Sequence, residues 1–316
     1  QAQAPAADEE DDGRAPHPAQ EEDGDYVIYE ATSIPPEWGA QKHKARIVET
    51  QAMAGVQAPK VTIKPNVPQE VIDSGDLSDV QLTAISRAAH AFTRTLPNGE
   101  RVGYFIGDGT GVGKGREIAG TIVHLWNSGV KKIIWASASE TLLNAAIDDL
   151  QNVGGKDIPT IWIGKLDAKK PFEKKFPQGI IFTTYASLAS GVNEVRKSTD
   201  VEPIASNRVR QIVDWAGSNP GIVFDESHLA KNAGSDEASL GSNQAPHDGA
   251  RETGSKAGKA VLSVQINIPK AHVLYSSATG FTEPENLIYA RRLGMWGEGT
   301  NFPTFERFNN LVTRGG

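Results

Sequence analysis

The sequence contains no cysteine, which excludes disulfides, thiolate metal sites and thiol nucleophiles together. It has no apolar run long enough to span a bilayer and no signal-peptide pattern, so no membrane partner is expected. The expected location is intracellular: a bacterial or phage-infected cytoplasm or, in a eukaryote, the nucleus. Positive charge is also short. A net charge of -7 excludes a protein that holds nucleic acid by bulk charge. Much of the acidity lies in residues 1–25, in Asp8, Glu9, Glu10, Asp11, Asp12, Glu21, Glu22, Asp23 and Asp25. The same stretch has almost no large apolar side chain, so it cannot bury enough surface to offset its ordering entropy. It reads as a disordered acidic tail, solvated rather than docked or mimicking DNA.

What is present is the patterning of one substantial α/β core. Pro35, Pro36, Pro59, Pro65 and Pro68 punctuate residues 26–75, which read as an extended arm packed on that core. Regular patterning begins near Leu77, and residues 76–316 form the expected domain. Short β-branched and apolar runs at 102–106, 133–136, 160–163, 179–184, 222–224 and 272–275 alternate with helical patterns. That alternation predicts a mostly parallel sheet with helices on both faces. Ile118, Ala119, Ile122, Val123 and Trp126 share one helical face, and Leu142, Leu143, Ala146 and Leu150 another. Ser137 with Glu140 fits a capping box opening the second of these helices. A further helix is expected over 204–216, and a long loop over 233–255. The segment near residue 316 reads as unfinished, as expected of part of a longer chain.

Between the run 102–106 and the helical pattern from Glu117 stand Gly107, Asp108, Gly109, Thr110, Gly111, Val112, Gly113, Lys114, Gly115 and Arg116. Strand, glycine loop, helix is the context a phosphate loop requires. Glycines at 109, 111 and 113 let successive N–H groups turn inward onto phosphate oxygens, and the helix N-terminus adds partial positive charge. Lys114 would reach the β and γ phosphates of ATP. A dinucleotide fingerprint needs glycines at i, i+2 and i+5, which no register of this loop supplies. Two positions depart from the strict phosphate-loop pattern. Asp108 stands where its first glycine belongs, and Gly115 where a Ser or Thr would bind Mg²⁺. Magnesium is then left to waters with Asp225, or to Thr110.

The run 222–224 ends in Asp225, Glu226, Ser227 and His228. Acids at the C-terminal end of a buried parallel strand sit where such sheets bind ligands. Asp225 would hold the metal, Mg²⁺, and Glu226 would align and deprotonate the attacking water. After the run 272–275, the hydroxyls of Ser277 and Thr279 would connect the phosphate state at Glu226 and His228 to a nucleic-acid surface; the alternative is an ordinary polar turn. Gln81, at the start of a helical pattern, has an amide able to read an adenine edge, although a solvated helix Gln has the same spacing.

In this order, Gln81, the 107–116 loop, Asp225 to His228 and Ser277 to Thr279 resemble the Q motif and motifs I, II and III of superfamily 2 helicases. The loop with Gly115 and the segment Arg292, Leu293, Gly294, Met295, Trp296, Gly297, Glu298, Gly299, Thr300 resemble the strawberry notch family, as do stretches at 47–54, 77–82 and 225–232. The resemblance spans about residues 26–310. It implies the first of two RecA-like P-loop NTPase domains, with arginine-bearing motifs on a second RecA-like domain, and nucleic acid as partner, DNA before RNA. It makes Gly115 a family trait. It also implies that Thr184 and Tyr185, within 183–188, lie along a nucleic-acid backbone; for Tyr185 plain core packing is the alternative. The rival class is a nucleotide-dependent scaffold, of transcription, chromatin or a phage particle, that binds ATP without turnover.

Overall fold

A computed structural model describes residues 26–29, 34–50, 60–109, 111–190, 207–230, 256–278 and 284–314. The expected acidic tail, the whole of the expected 233–255 loop, residues 204–206 of the expected 204–216 helix, Thr110 and Thr279 lie outside the described residues. The chain divides into two units, one of residues 1–29 and 46–58 and the other of residues 30–45 and 59–316. In the first, β1 (Tyr26–Ile28) pairs antiparallel with β2 (Val48–Thr50).

The second unit is built on six parallel strands: β3 (Tyr104–Ile106), β4 (Lys132–Ser137), β5 (Thr160–Trp162), β6 (Gly179–Thr184), β7 (Gly221–Phe224) and β8 (His272–Ser276). Their order across the sheet is β3-β8-β7-β4-β6-β5. Every pairing is parallel. All six expected runs are strands, because burial on both faces makes such strands continuously apolar. Side chains still alternate between faces. Ile133, Trp135, Ile180, Phe182, Val223 and Leu274 enter one core layer, and Ile134, Ala136, Ile181, Ile222, Phe224, Val273 and Tyr275 the other.

The helices are α1 (Gln69–Asp73), α2 (Asp79–Ala91), α3 (Lys114–Asn127), α4 (Leu142–Asn152), α5 (Tyr185–Ala189), α6 (Asn207–Ala216), α7 (Lys256–Asn267) and α8 (Phe305–Arg314). Helices α2, α3 and α4 cover the first layer; α5, α6 and α7 cover the second. Ile118, Ala119, Ile122 and Val123 bury the expected face of α3. On α4 Ala146 and Leu150 are buried, but Leu142 stays exposed. Of the arm, residues 60–68 run against α2 and α3: Ile63 O accepts from Ser86 Oγ at 2.6 Å and Asn66 N donates to His124 Nδ1 at 2.9 Å.

The capping box is displaced from where the local pattern put it. Ser137 is the last residue of β4, paired with Thr184, and α4 starts from Thr141 without a side-chain cap. Tertiary pairing extends the strand through the residue that local sequence offered as a cap. The box forms instead at Ser78 and Gln81, opening α2.

The family-like segment at 292–300 closes the second unit. Arg292 is fully buried and donates to the carbonyls of Gln265 (2.6 Å), Ile268 (2.8 Å), Pro269 (2.8 Å) and Arg101 (3.2 Å). It thereby satisfies carbonyls at the end of α7 that the helix itself leaves open. Glu100 balances the charge, 3.6 Å from Arg292 and 3.1 Å from Arg291. Trp296, Phe305, Leu287, Ile288 and Leu262 form a small third core beside it.

Candidate active site

Strand β3 delivers the loop, and α3 begins at Lys114. Gly111 and Gly113 hold φ of 100° and 89°, a region where L side chains are strained. A Cβ at Gly113 would also meet Gln81 Nε2 at 2.6 Å, whereas at Gly109 and Gly111 it would meet nothing within 4 Å. The loop is thus anchored at Gly113 and open around Gly109 and Gly111, as a cradle for phosphate oxygens requires. No side chain caps α3. Lys114 Nζ donates to Asp108 O at 2.9 Å and Gly109 O at 3.4 Å. Arg116 turns away, donating to Asp76 O at 2.9 Å.

The anchor is a backbone carbonyl. Val112 O accepts from Gln81 Nε2 at 2.9 Å and lies 3.2 Å from His43 Nε2. Gln81 Oε1 accepts from Ser78 N at 3.0 Å, so the buried amide of the capping box also ties α2 to the loop. His43 had no distinguishing signal in sequence. Gly115 has a steric neighbour: its Cβ would lie 2.0 Å from Asp149 Oδ2 on α4, so a Ser or Thr there would require that carboxylate to swing aside. Burial raises the Asp149 carboxyl above its ordinary range, opposed by Arg116.

At the end of β7, Asp225 N donates to Ala136 O at 2.8 Å, extending the strand by one residue. Ser137 Oγ donates to Asp225 Oδ2 at 2.9 Å and Glu226 N to Asp225 Oδ1 at 3.0 Å. Burial still raises the Asp225 carboxyl above its ordinary range, and the neighbouring Glu226 adds to this; the bonds from Ser137 and Glu226 N and the charge of Lys114 pull it back. Lys114 therefore reaches Asp225 electrostatically across the end of the sheet. A divalent cation would relieve the same desolvation, so the donor set fits one.

Glu226 adopts φ 49°, the one non-glycine with positive φ among the described residues. Such strain persists where surrounding structure enforces it. Its carboxylate is 33% exposed and lies 3.3 Å from His228 Nδ1. That same nitrogen is 3.0 Å from Ser277 Oγ, and Ser277 N donates to Ile106 O at 3.1 Å. The ends of β3, β7 and β8 are so joined through predicted residues.

Tyr185 and Thr184 are placed in the interior. Tyr185 donates its hydroxyl to Asp225 O at 2.8 Å, and burial pushes that phenol well above its ordinary range, with Asp225 adding to it. Thr184 caps α5, accepting from Ser187 N at 3.1 Å. Sequence reasoning missed the part of Ser137; its place at the carboxyl end of a strand, beside a strand ending in acids, was the available signal. Among the described residues no three His, Asp or Glu side chains gather as a metal cluster, and no helix is long and apolar enough to cross a membrane.

The family model described as P-loop containing NTP hydrolase pore-1 matches residues 42–316. Protein strawberry notch homolog 1 of Gallus gallus is 39% identical over 280 residues, covering 87% of this chain and 21% of that protein. Protein strawberry notch of Drosophila melanogaster is 38% identical over 281 residues, covering 87% and 16%. The chain thus spans between about a sixth and a fifth of these relatives' length. Among solved structures, the Sulfolobus solfataricus SWI2/SNF2 ATPase core in complex with dsDNA is 14% identical, covers 81% of this chain and 42% of that one, and gives a TM-score of 0.48. With a glycine loop and an acid pair at one end of a parallel sheet and a family match across nearly all of the core, the chain belongs to the strawberry notch family of P-loop NTP hydrolases.

Proposed function

We propose that the chain is the first RecA-like half of an ATP-dependent nucleic-acid translocase or helicase-like motor. The observation that carries this reading is the glycine loop and Lys114 following β3, and Asp225 and Glu226 following β7, at the carboxyl ends of one parallel sheet, with Ser137 of β4 bonded to Asp225 and His228 beside Ser277 after β8. The backbone from Gly109 through Thr110, Gly111, Val112 and Gly113 to Gly115 and Arg116 surrounds the phosphates. Lys114 exchanges the carbonyls of Asp108 and Gly109 for β and γ phosphate oxygens. Asp225, steadied by Ser137, holds Mg²⁺. Bound magnesium neutralises charge on the transferring phosphoryl group.

Glu226 is the base: partly exposed and aimed by its left-handed backbone, it accepts the proton of the attacking water. His228 joins it to Ser277, and with Thr279 forms the route by which phosphate state reaches nucleic acid. Gln81 keeps a second amide hydrogen beyond the one on Val112 O, so a single side chain senses adenine and braces the loop. Tyr185 bonds the start of α5 to Asp225, so that Thr184 and Tyr185 act from the interior and the outer residues Ala186 and Ser187 of the same segment lie along a nucleic-acid backbone. A second RecA-like domain supplies the arginine that completes turnover.

Replacing Lys114 by Ala tests this reading. A charge-assisted phosphate contact contributes about 2 kcal/mol or more, about 30-fold in affinity. Calorimetric titration of the folded variant with ATP and Mg²⁺ should show that loss, and unchanged affinity would overturn the proposal.

A further inference from the structure

Glu117 stands in the first turn of α3, three residues beyond Lys114, and is fully buried. Acids in a first helical turn ordinarily face water and the helix dipole. This one faces inward, and neither carboxylate oxygen has a hydrogen-bond donor among the described residues. An ionised carboxylate with no donor in a dry site is among the costliest arrangements a fold can hold. The charged groups that act on it are Asp108 of the loop and Lys114 at the start of α3; it also acts on Tyr104 of β3, which Arg87 of α2 bonds. Burial drives the Glu117 carboxyl well above its ordinary range, Asp108 adds to this, and Lys114 works against it.

We propose that Glu117 is a positioning residue for the phosphate loop: held as a neutral carboxylic acid, it donates a hydrogen bond to the Asp108 carboxylate and so fixes the backbone carbonyl on which Lys114 rests. The Asp108 carbonyl receives Lys114 Nζ at 2.9 Å, so a tethered Asp108 side chain sets where the ammonium waits. The acid at 108, a departure from the strict loop pattern, thereby has a partner that a glycine there could not engage. Only the protonated form of Glu117 can donate.

The proposal rests on the phosphate-loop reading, and its test separates the two. Difference infrared spectroscopy of the nucleotide-free chain, wild type against Glu117→Gln, should show one protonated carboxyl at neutral pH that the variant lacks. That measurement involves no nucleotide. Titration with ATP and Mg²⁺ should then give Glu117→Gln an affinity within about twofold of wild type, because the amide is neutral and donates as the acid does, and Glu117→Ala an affinity about tenfold weaker. Absence of the protonated-carboxyl band overturns the proposal even if Glu117→Ala fails to fold. So does a loss in Glu117→Gln as large as in Glu117→Ala, or a Glu117→Ala chain that is destabilised yet binds ATP normally. A wild type that shows the band and binds no ATP overturns both the positioning role and the phosphate-loop reading; one that binds ATP without the band overturns the positioning role alone.

Discussion

Gly115→Ala sets local propensity against tertiary space. Gly115 lies inside α3 and is not among the glycines with positive φ, so backbone conformation alone favours alanine by up to about 1 kcal/mol. Space opposes it. The new Cβ would sit 2.0 Å from Asp149 Oδ2, where contacts below 3.0 Å essentially never occur, so the carboxylate must retreat by at least 3.0 − 2.0 = 1.0 Å. Because Oδ2 is the far end of a flexible side chain, that move costs about 1 kcal/mol, which offsets the propensity gain and leaves the variant close to the wild type in stability. In an Asp149→Ala background the obstacle is gone and the same substitution should stabilise by up to about 1 kcal/mol. The lost attraction between Asp149 and Arg116 is common to both arms and cancels. Urea unfolding of the four proteins, compared at equal m-values, gives the coupling directly. A coupling within about 0.5 kcal/mol of zero would refute a steric conflict between a side chain at 115 and Asp149.

Two further outcomes are expected. Arg292→Met leaves Glu100 with Arg291 and the Asn98 amide and removes donors from four carbonyls, so it should destabilise by about 3 kcal/mol or more in denaturant unfolding. His272, between Pro220 O and the edge of Phe92, is lowered to about 4, chiefly by burial. The unfolded chain therefore binds a proton that the folded one refuses between about pH 6.5 and 4, and stability should fall by about 2 kcal/mol from pH 7 to pH 5. His272→Gln should remove that part of the slope.

The strands and the loop were legible because their physics is local. Buried parallel strands write continuous apolar runs, and a loop that turns N–H groups inward needs glycines at 111 and 113. Ser137 misled because a capping box is a local pattern, while its strand conformation comes from pairing with Thr184, distant in sequence. Glu117 marked only the start of a helical pattern, since its burial depends on Tyr104 and Asp108 brought to it by β3 and the loop. Gly115 could not be explained from its neighbours, because the atom that a side chain there would meet belongs to Asp149 on α4. Gln81 was found for its amide, but Val112 as its partner required the fold.

The central claim is that Asp225 and Glu226 divide cation holding from water activation in a nucleic-acid-dependent motor. The most direct measurement pairs ATP affinity with nucleic-acid-stimulated hydrolysis for Asp225→Asn and Glu226→Gln, in the presence of the proposed second RecA-like domain. Glu226→Gln should keep ATP affinity, lose most hydrolysis and accumulate the ATP-bound state on nucleic acid, whereas Asp225→Asn should lose magnesium-dependent binding as well. A wild type without stimulated hydrolysis, matched in every respect by Glu226→Gln, would contradict the motor and leave an ATP-binding scaffold in its place.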